Sequence, residues 1–440
     1  MHRNQFIKIT NQLSKILKGT EFEGHVYAVG GSVRDYVMYD EIKDIDLVLD
    51  IPNGGIKLAE YLEKQGHLVY PPVIYPTYGT CQFRLKMFPK HELEAVHTRG
   101  EQYHDKNSRN PETFFSSIED DAVLRDLTIN ALYYDIFTRN LVDPTGFGFD
   151  DINNRVIRTS NQDPNIVFND DPLRILRVVR FAAKYNWTIE RMTFAGMMEC
   201  KDRLDIISKE RIMTEFVSML NTKHPDYAAT LLFELGLWGY ITYGYFDDET
   251  ENLIISALKK SVEEHANINI RLAIAFHMFD IITVKEIMHD MKFSNDTIKE
   301  VTLLLKNLYS FYHKPTDKEI RMVQLSYDKK SFDDLLTLVK LLKKSRWTKY
   351  IKERTDTRKT RMFGYKLPVS GNDIMEMFNI QPGPGIKRIL LEMLEYACER
   401  PKTTPKQLID YCLDNCIINK DLLKQKNAIK INMVISICYI

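Results

Sequence analysis

Strand-length apolar runs are confined to the first third of the chain. From residue 26 to about 143, VYAVGG, DIDLVLDI, YGTCQFRLKMF, LEAVHT and ALYYDIF are separated by turn residues and a few helical patterns. From about 163 onward strand signals nearly vanish. RILRVVRFAAKY, ERIMTEFVSMLN, AATLLFELGLWGY and RLAIAFHMFDII all repeat at three to four residues. A single change of period of this kind predicts an α/β head of about 150 residues followed by a long all-helical part. An N-terminal helix over 4–18, with Phe6, Ile9, Leu13, Ile16 and Leu17 on one stripe, precedes the head. At 440 residues the chain exceeds what one hydrophobic core serves.

Composition narrows the function. Sixty Lys and Arg balance sixty Asp and Glu, which argues against a uniformly basic nucleic-acid wrapper and leaves room for a local patch. Between Lys343 and Lys366 ten basic residues face two acids, with Trp347, Tyr350, Phe363 and Tyr365 interleaved. Lys343, Lys344, Arg346, Lys349, Arg358, Lys359 and Arg361 are therefore candidates for contact with RNA, since cations among aromatics suit phosphates and exposed bases. A solvated helix face and linker explains the same run. Six scattered cysteines with no C-x-x-C pair fit a reduced, cytoplasmic protein. No apolar stretch reaches the ~18 residues of a membrane span, the first residues lack a signal peptide's apolar core, and no obligate protein partner is evident.

The informative segment is YAVGGSVRDYVMYDEIKDIDLVLD, residues 27–50. A strand ends in Gly30-Gly31 and a helix-compatible stretch carrying Arg34 and Asp35 follows. Glycines between strand and helix let the backbone approach a phosphate, although most such turns only reverse the chain. Thirteen residues after the turn, Asp44 and Asp46 flank Ile45. Residues i and i+2 of a strand share a face, and two close carboxylates repel unless a cation lies between them. Hard oxygen donors at this spacing suit Mg²⁺. The bland alternative is a strand-end cap.

GGSVRD followed by DID resembles the first motif of the class II nucleotidyltransferases, the family of tRNA CCA-adding enzymes and bacterial poly(A) polymerases, within the polymerase-β-like superfamily. RDLTINALYYD (125–135), DPTGFGFDDI (143–152), DDPLRILRVVRFAAKY (170–185) and SKERIMTEF (208–216) are similar to its later motifs, in its order. The resemblance spans about residues 24–220 and resumes more weakly over 367–397. It implies an α+β multidomain fold: a polymerase-β-like head with a small mixed sheet (1–157), a helical neck (158–223), a helical body (224–342) and a helical tail holding tRNA (343–440).

The reaction implied is attack of an RNA 3′-hydroxyl on the α-phosphorus of CTP or ATP with two Mg²⁺ ions, Mn²⁺ being the alternative. Asp44 and Asp46 become the metal ligands and Glu94 the third catalytic carboxylate, with Glu92 the competing choice. Gly30, Gly31 and Arg34 would hold the triphosphate, and Arg125, Asp126 and Asn130 the ribose and phosphates. Asp171 and Arg174, at i and i+3, would read the base from one helix face, with Arg177 and Arg180 continuing the basic stripe. A carboxylate accepts from the exocyclic amine of C or A, whereas U and G turn an acceptor toward it. Asp171 before Pro172 is also a ready helix cap. Two departures stand out: Leu124 replaces the first Arg of the family's Arg-Arg-Asp, and Asp170 replaces a Glu. The polar segment 98–111 is similar to the family's flexible stretch.

Within the family, full CCA addition competes with CC-only or A-only addition and with poly(A) synthesis. YGTCQF and the absence of a long basic C-terminal extension favour tRNA. Two further classes are a degenerate phosphohydrolase, because His277 is followed by Met278 where an Asp is needed, and an inactive RNA-binding protein. Intact Asp44, Asp46, Asp171 and Arg174 argue against the last.

Overall fold

The apolar runs of the first 140 residues pair into one seven-stranded sheet. The computed structural model describes residues 1–76, 79–102, 112–343, 347–355 and 362–415. Its strands are β1 (Val26–Val29), β2 (Ile45–Leu49), β3 (Val73–Tyr75), β4 (Thr80–Phe83), β5 (Leu93–His97), β6 (Arg99–Gln102), β7 (Glu112–Phe115), β8 (Tyr133–Asp135) and β9 (Leu141–Val142). The sheet runs β3-β4-β5-β2-β1-β8-β9, with β6 and β7 forming a separate hairpin. Only β2 and β5 are parallel neighbours in the sheet, and their register sets Asp46 opposite Glu94. Each expected apolar run supplies one strand. The edge strand β3 shows no apolar alternation, since Val73 and Tyr75 are both exposed.

Helices α1 (Arg3–Leu17), α2 (Gly31–Val37) and α3 (Gly54–Lys64) bury apolar stripes with the sheet. Phe6, Leu13, Leu47, Leu58 and Tyr134 belong to that core. Gly55 lets α3 lie flat on β5, because a Cβ there would stand 2.5 Å from the Ala95 carbonyl oxygen. Val29, Val48, Ala122, Ala131 and Tyr133 form a second, smaller cluster. Next come α4 (Ile118–Val123), α5 (Gly148–Asn154), α6 (Pro164–Asp170), α7 (Leu173–Tyr185), α8 (Arg191–Cys200) and α9 (Lys209–Leu220). The α7 helix buries Ile175, Leu176, Val178, Val179, Ala182 and Ala183, so its three-residue spacing leaves Arg174, Arg177 and Arg180 half-buried along one side.

Contacts group the chain into two units: Met1–Ile255 with Asp290–Lys292, and Ser256–His289 with Phe293–Ile440. The division falls inside the stretch expected as body. The second unit is helical throughout its described residues, and includes a core of Ile374, Phe378, Met393, Leu408 and Cys412. His277 closes the helix Ile268–Phe276. It is 4% exposed, with Nδ1 2.8 Å from the Ile274 carbonyl oxygen, as expected of a core histidine. Lys349 is exposed on the helix Trp347–Thr355. In this region Lys314 lies over the Trp347 and Tyr350 rings, and Arg354 over Tyr350. The side chain of Lys343, all of Lys344, Arg346, Arg358, Lys359 and Arg361, and the stretch 103–111 lie outside the described residues.

Candidate active site

A cavity of about 580 Å³ opens in the first unit. The β1–α2 turn contributes Gly30, Gly31 and Arg34, the paired strands contribute Asp46 and Glu94, and the stretch after α4 contributes Arg125, Asp126 and Asn130. Asp171, Arg174 and Arg177 enter from the helices that follow the head. Residues chosen from scattered motifs thus share one space. Asp44 and Arg180 are not among its walls.

Gly30 has φ +73° and ψ −138°, a backbone state that L side chains rarely adopt. A Cβ there would point between Arg125 Nη1, at 3.5 Å, and Asp46 Oδ2, at 3.7 Å. The turn therefore brings bare backbone up to one cation and one anion. Arg34 is buried; its Nε donates to Asp35 at 2.8 Å and its Nη1 donates to Asn130 Oδ1. Arg125 is held by Asp121, whose Oδ2 accepts from Arg125 Nε, Arg125 Nη2 and the Tyr133 hydroxyl.

The Asp46 carboxyl is pushed up to about 6 from an ordinary 3.8. Weak hydration is the main cause: the side chain keeps solvent contact, but within a walled cavity. Glu94 opposite adds repulsion, Arg125 opposes it, and Asp44 adds more. Asp44 itself is exposed, one residue before β2. Glu92 is tied to Arg84 at 2.8 Å on the surface; Glu94 takes only a 3.3 Å bond from Gln82. Among the described residues no three His, Cys, Asp or Glu side chains are drawn close enough to hold a metal. The donor chemistry still fits a divalent cation: hard oxygens whose mutual repulsion Arg125 offsets only in part.

The sign of this effect gives a test. A carboxyl raised in the fold contributes stability below about 3.8 that is lost as pH rises through about 6. A cation bound there restores it. Mg²⁺ is expected to raise the thermal midpoint at pH 7.5, to do so far less at pH 5, and to lose this effect in Asp46→Asn. Equal shifts in both proteins would place the ion elsewhere.

Asp126 joins the head to α7. Its Oδ2 accepts from Arg177 Nε and Nη2 at 2.8 and 2.5 Å, and its Oδ1 from Asn130 and the Leu127 amide at 2.9 Å each. Burial alone would raise this carboxyl; Arg177 and Asn130 outweigh it and hold it at about 2. The stability it contributes is lost only as pH falls from the ordinary carboxyl range toward that value. Arg180 pairs instead with Glu215 of α9, at 2.6 Å.

The expected helix face shared by Asp171 and Arg174 is corrected. Asp171 has φ −141° and ψ 98° in a break between α6 and α7, because Pro172 disfavours helical geometry before it. Its Oδ1 caps the Leu173 amide at 3.2 Å, and its Oδ2 accepts from Arg211 at 2.7 Å. The capping alternative is therefore real, and it coexists with a place in the cavity. Arg174 stands in the first turn of α7 and donates to the Leu124 carbonyl at 2.7 Å. Leu124 is itself a wall residue, so an apolar side chain lines the cavity where the resemblance has an arginine. Asp170 ends α6, its carboxyl raised to about 6 by burial against the pull of Arg174.

Sequence reasoning missed Asp121 and Arg211, both in the walls. The i,i+4 spacing of Asp121 and Arg125 was the available signal for the first. Arg211 lies inside SKERIMTEF, which drew notice as a segment and not for any one residue.

Residues 26–158 match the family described as poly A polymerase head domain, and 186–242 that described as probable RNA and SrmB-binding site of polymerase A. The chain is 26% identical over 406 residues to the CCA-adding enzyme of Staphylococcus saprophyticus, covering 90% of this chain and 94% of that protein. The likeness to CCA-adding enzymes thus runs along most of the chain, and the head matches the polymerase A head domain. It is also 32% identical over 260 residues to tRNA nucleotidyltransferase cca1 of Schizosaccharomyces pombe, covering 55% of this chain. That alignment spans half the length of the yeast protein. Among solved structures, the Bacillus stearothermophilus CCA-adding enzyme in complex with CTP superposes with TM-score 0.71 at 20% identity, covering 92% of this chain and 96% of that one. The Thermotoga maritima CCA-adding enzyme complexed with tRNA gives 0.67 at 19%, covering 94% and 96%. The expected α+β fold is the fold the chain has.

Proposed function

We propose that this chain adds C and A nucleotides to the 3′ end of tRNA without a template. One observation carries the reading: a single cavity joins facing carboxylates, a glycine turn with arginines, and an Asp–Arg pair able to read a base. The RNA 3′-hydroxyl attacks the α-phosphorus, an O–P bond forms, and pyrophosphate leaves. Arg34 and Arg125 hold the triphosphate, while Asn130 and Asp126 face the ribose. Glu94 accepts the hydroxyl proton. Asp44 and Asp46 would hold Mg²⁺, which when bound supplies charge neutralisation that no side chain here can match. Asp171 accepts from the exocyclic amine of C or A. Arg174 keeps further N–H groups for base acceptors beyond those it spends on Leu124 and Val167.

The relatives' descriptions with tRNA, CTP and ATP support this reading. Among the described residues no helix is long and apolar enough to cross a membrane, and a cytoplasmic site of action is part of the proposal. The tail, with Lys349 and the basic run around it, would hold the tRNA. Raising salt about fourfold from a dilute buffer is then expected to weaken tRNA binding on the order of a hundredfold, because each phosphate neutralised by a Lys or Arg releases counterions. Salt-independent binding removes the tail from the reading.

The deciding experiment offers tRNA ending at the discriminator base, tRNA ending in CC, and oligo(A), each with the four triphosphates separately. Products extended by C, C and A in turn support full CCA addition. Leu124 favours attention to the CC-only and A-only outcomes. Long homopolymer on oligo(A) would sink the tRNA assignment.

A further inference from the structure

Three arginines, two of them in the cavity wall, share one aromatic ring. The guanidinium carbons of Arg180, Arg34 and Arg177 lie 4.4, 5.2 and 5.9 Å from the centre of the Phe181 ring, each within reach of cation–ring attraction. The cations also meet a chain of acceptors: Arg34 donates to Asp35 and Asn130, Asn130 donates to Asp126, Arg177 donates to Asp126 and lies 3.9 Å from Glu215, and Arg180 donates to Glu215. Asn130 and Asp126 thus link the edge of Arg34 to that of Arg177, and Glu215 links Arg177 to Arg180, while the faces of the guanidiniums are left to the ring. Three like charges this close repel. Phe181 touches all three, lies in the cavity wall and is only 5% exposed. Its ring stacks on Tyr185, 6.2 Å away at 18°, and the Tyr185 hydroxyl reaches back to Asp35. The platform is thus braced from behind.

We propose that Phe181 is a positioning residue for the nucleotide, its ring backing the guanidiniums of Arg34 and Arg177, whose edges Asn130 and Asp126 tie, so that both meet the phosphates and ribose. This rests on the reading of those arginines as nucleotide ligands. The competing account is a plain apolar filler beneath α7. The two differ in one property, since only the first needs electron density on the ring face.

The test replaces Phe181 in the full chain by mono-, di- and trifluorophenylalanine, which drain the ring face while keeping its shape. CTP and ATP kinetics on a tRNA acceptor are measured beside direct CTP titration and thermal unfolding. KM for both nucleotides and the CTP dissociation constant are expected to rise together with fluorine number, about tenfold at three fluorines. The KM for tRNA and kcat stay within about twofold. Phe181→Leu shifts nucleotide KM the same way, and Phe181→Tyr, which keeps a ring, falls back toward the parent. Flat CTP binding across the fluorinated series overturns the proposal, whatever Phe181→Leu does to stability. If the parent chain transfers no nucleotide to tRNA, the functional reading fails separately, and the CTP titration still decides the role of the ring.

Discussion

Asp46→Asn is expected to slow nucleotide addition by about a thousandfold or more while leaving the fold and tRNA binding intact. The expectation follows from where the charge sits. Asp46 is the carboxylate with Glu94 opposite, Asp44 behind and Arg125 alongside, and its carboxyl is already raised to about 6. Asparagine keeps the shape and removes the charge a cation would answer. It also relieves repulsion, so thermal stability without Mg²⁺ should hold or rise. A variant that transfers nucleotides at the parent rate would end the assignment. A variant that unfolds would show instead that Asp46 is structural. Single-turnover addition with each triphosphate, read beside an unfolding curve, separates these results.

Asp171→Ala is expected to erase nucleotide choice. UTP and GTP incorporation should rise toward that of CTP and ATP, closing a gap on the order of a hundredfold, with tRNA affinity unchanged. The structure adds the Arg211 pair to the capping role that the sequence already offered. The same side chain caps Leu173 and pairs with Arg211, so alanine also loosens the start of α7. Asp171→Asn isolates the chemistry. It keeps an oxygen for the cap and puts an amide where an acceptor is required. Choice lost in both variants assigns base reading to Asp171. Choice kept in Asp171→Asn with reduced stability in both leaves it a cap.

The layout of the head was legible because β1 and β2 are written as mainly apolar runs, with Asp46 alone exposed, and β5 still buries Leu93 and Ala95. Strands with exposed faces carry no such mark, which is why β3 and the β6–β7 hairpin escaped notice. The glycine turn and Asp46, singled out by motif and spacing, both line the cavity, whereas Asp44 stands one residue before β2 and outside it. The pairing of Asp46 with Glu94 was not legible, because register between distant strands is a tertiary property. Helical spacing placed Arg177 and Arg180 correctly on one side of α7. It misplaced Asp171, since Pro172 breaks the helix that i,i+3 reasoning assumed. Arg211 and Asp121 act through other side chains, and a partner's partner leaves little trace in a motif.

The parallel pairing of β2 with β5 has a consequence for how the molecule comes into being. Antiparallel neighbours can zip from a nearby turn, but a parallel pair must wait for an entire crossover to close. Here that crossover includes α3, β3 and β4. A nascent chain with α1, β1 and β2 in place would carry Asp46 with no Glu94 beside it, and the arginines of α7 arrive later still. On the proposed function, unfinished or truncated chains are therefore expected to be inert toward RNA until synthesis is well past the head.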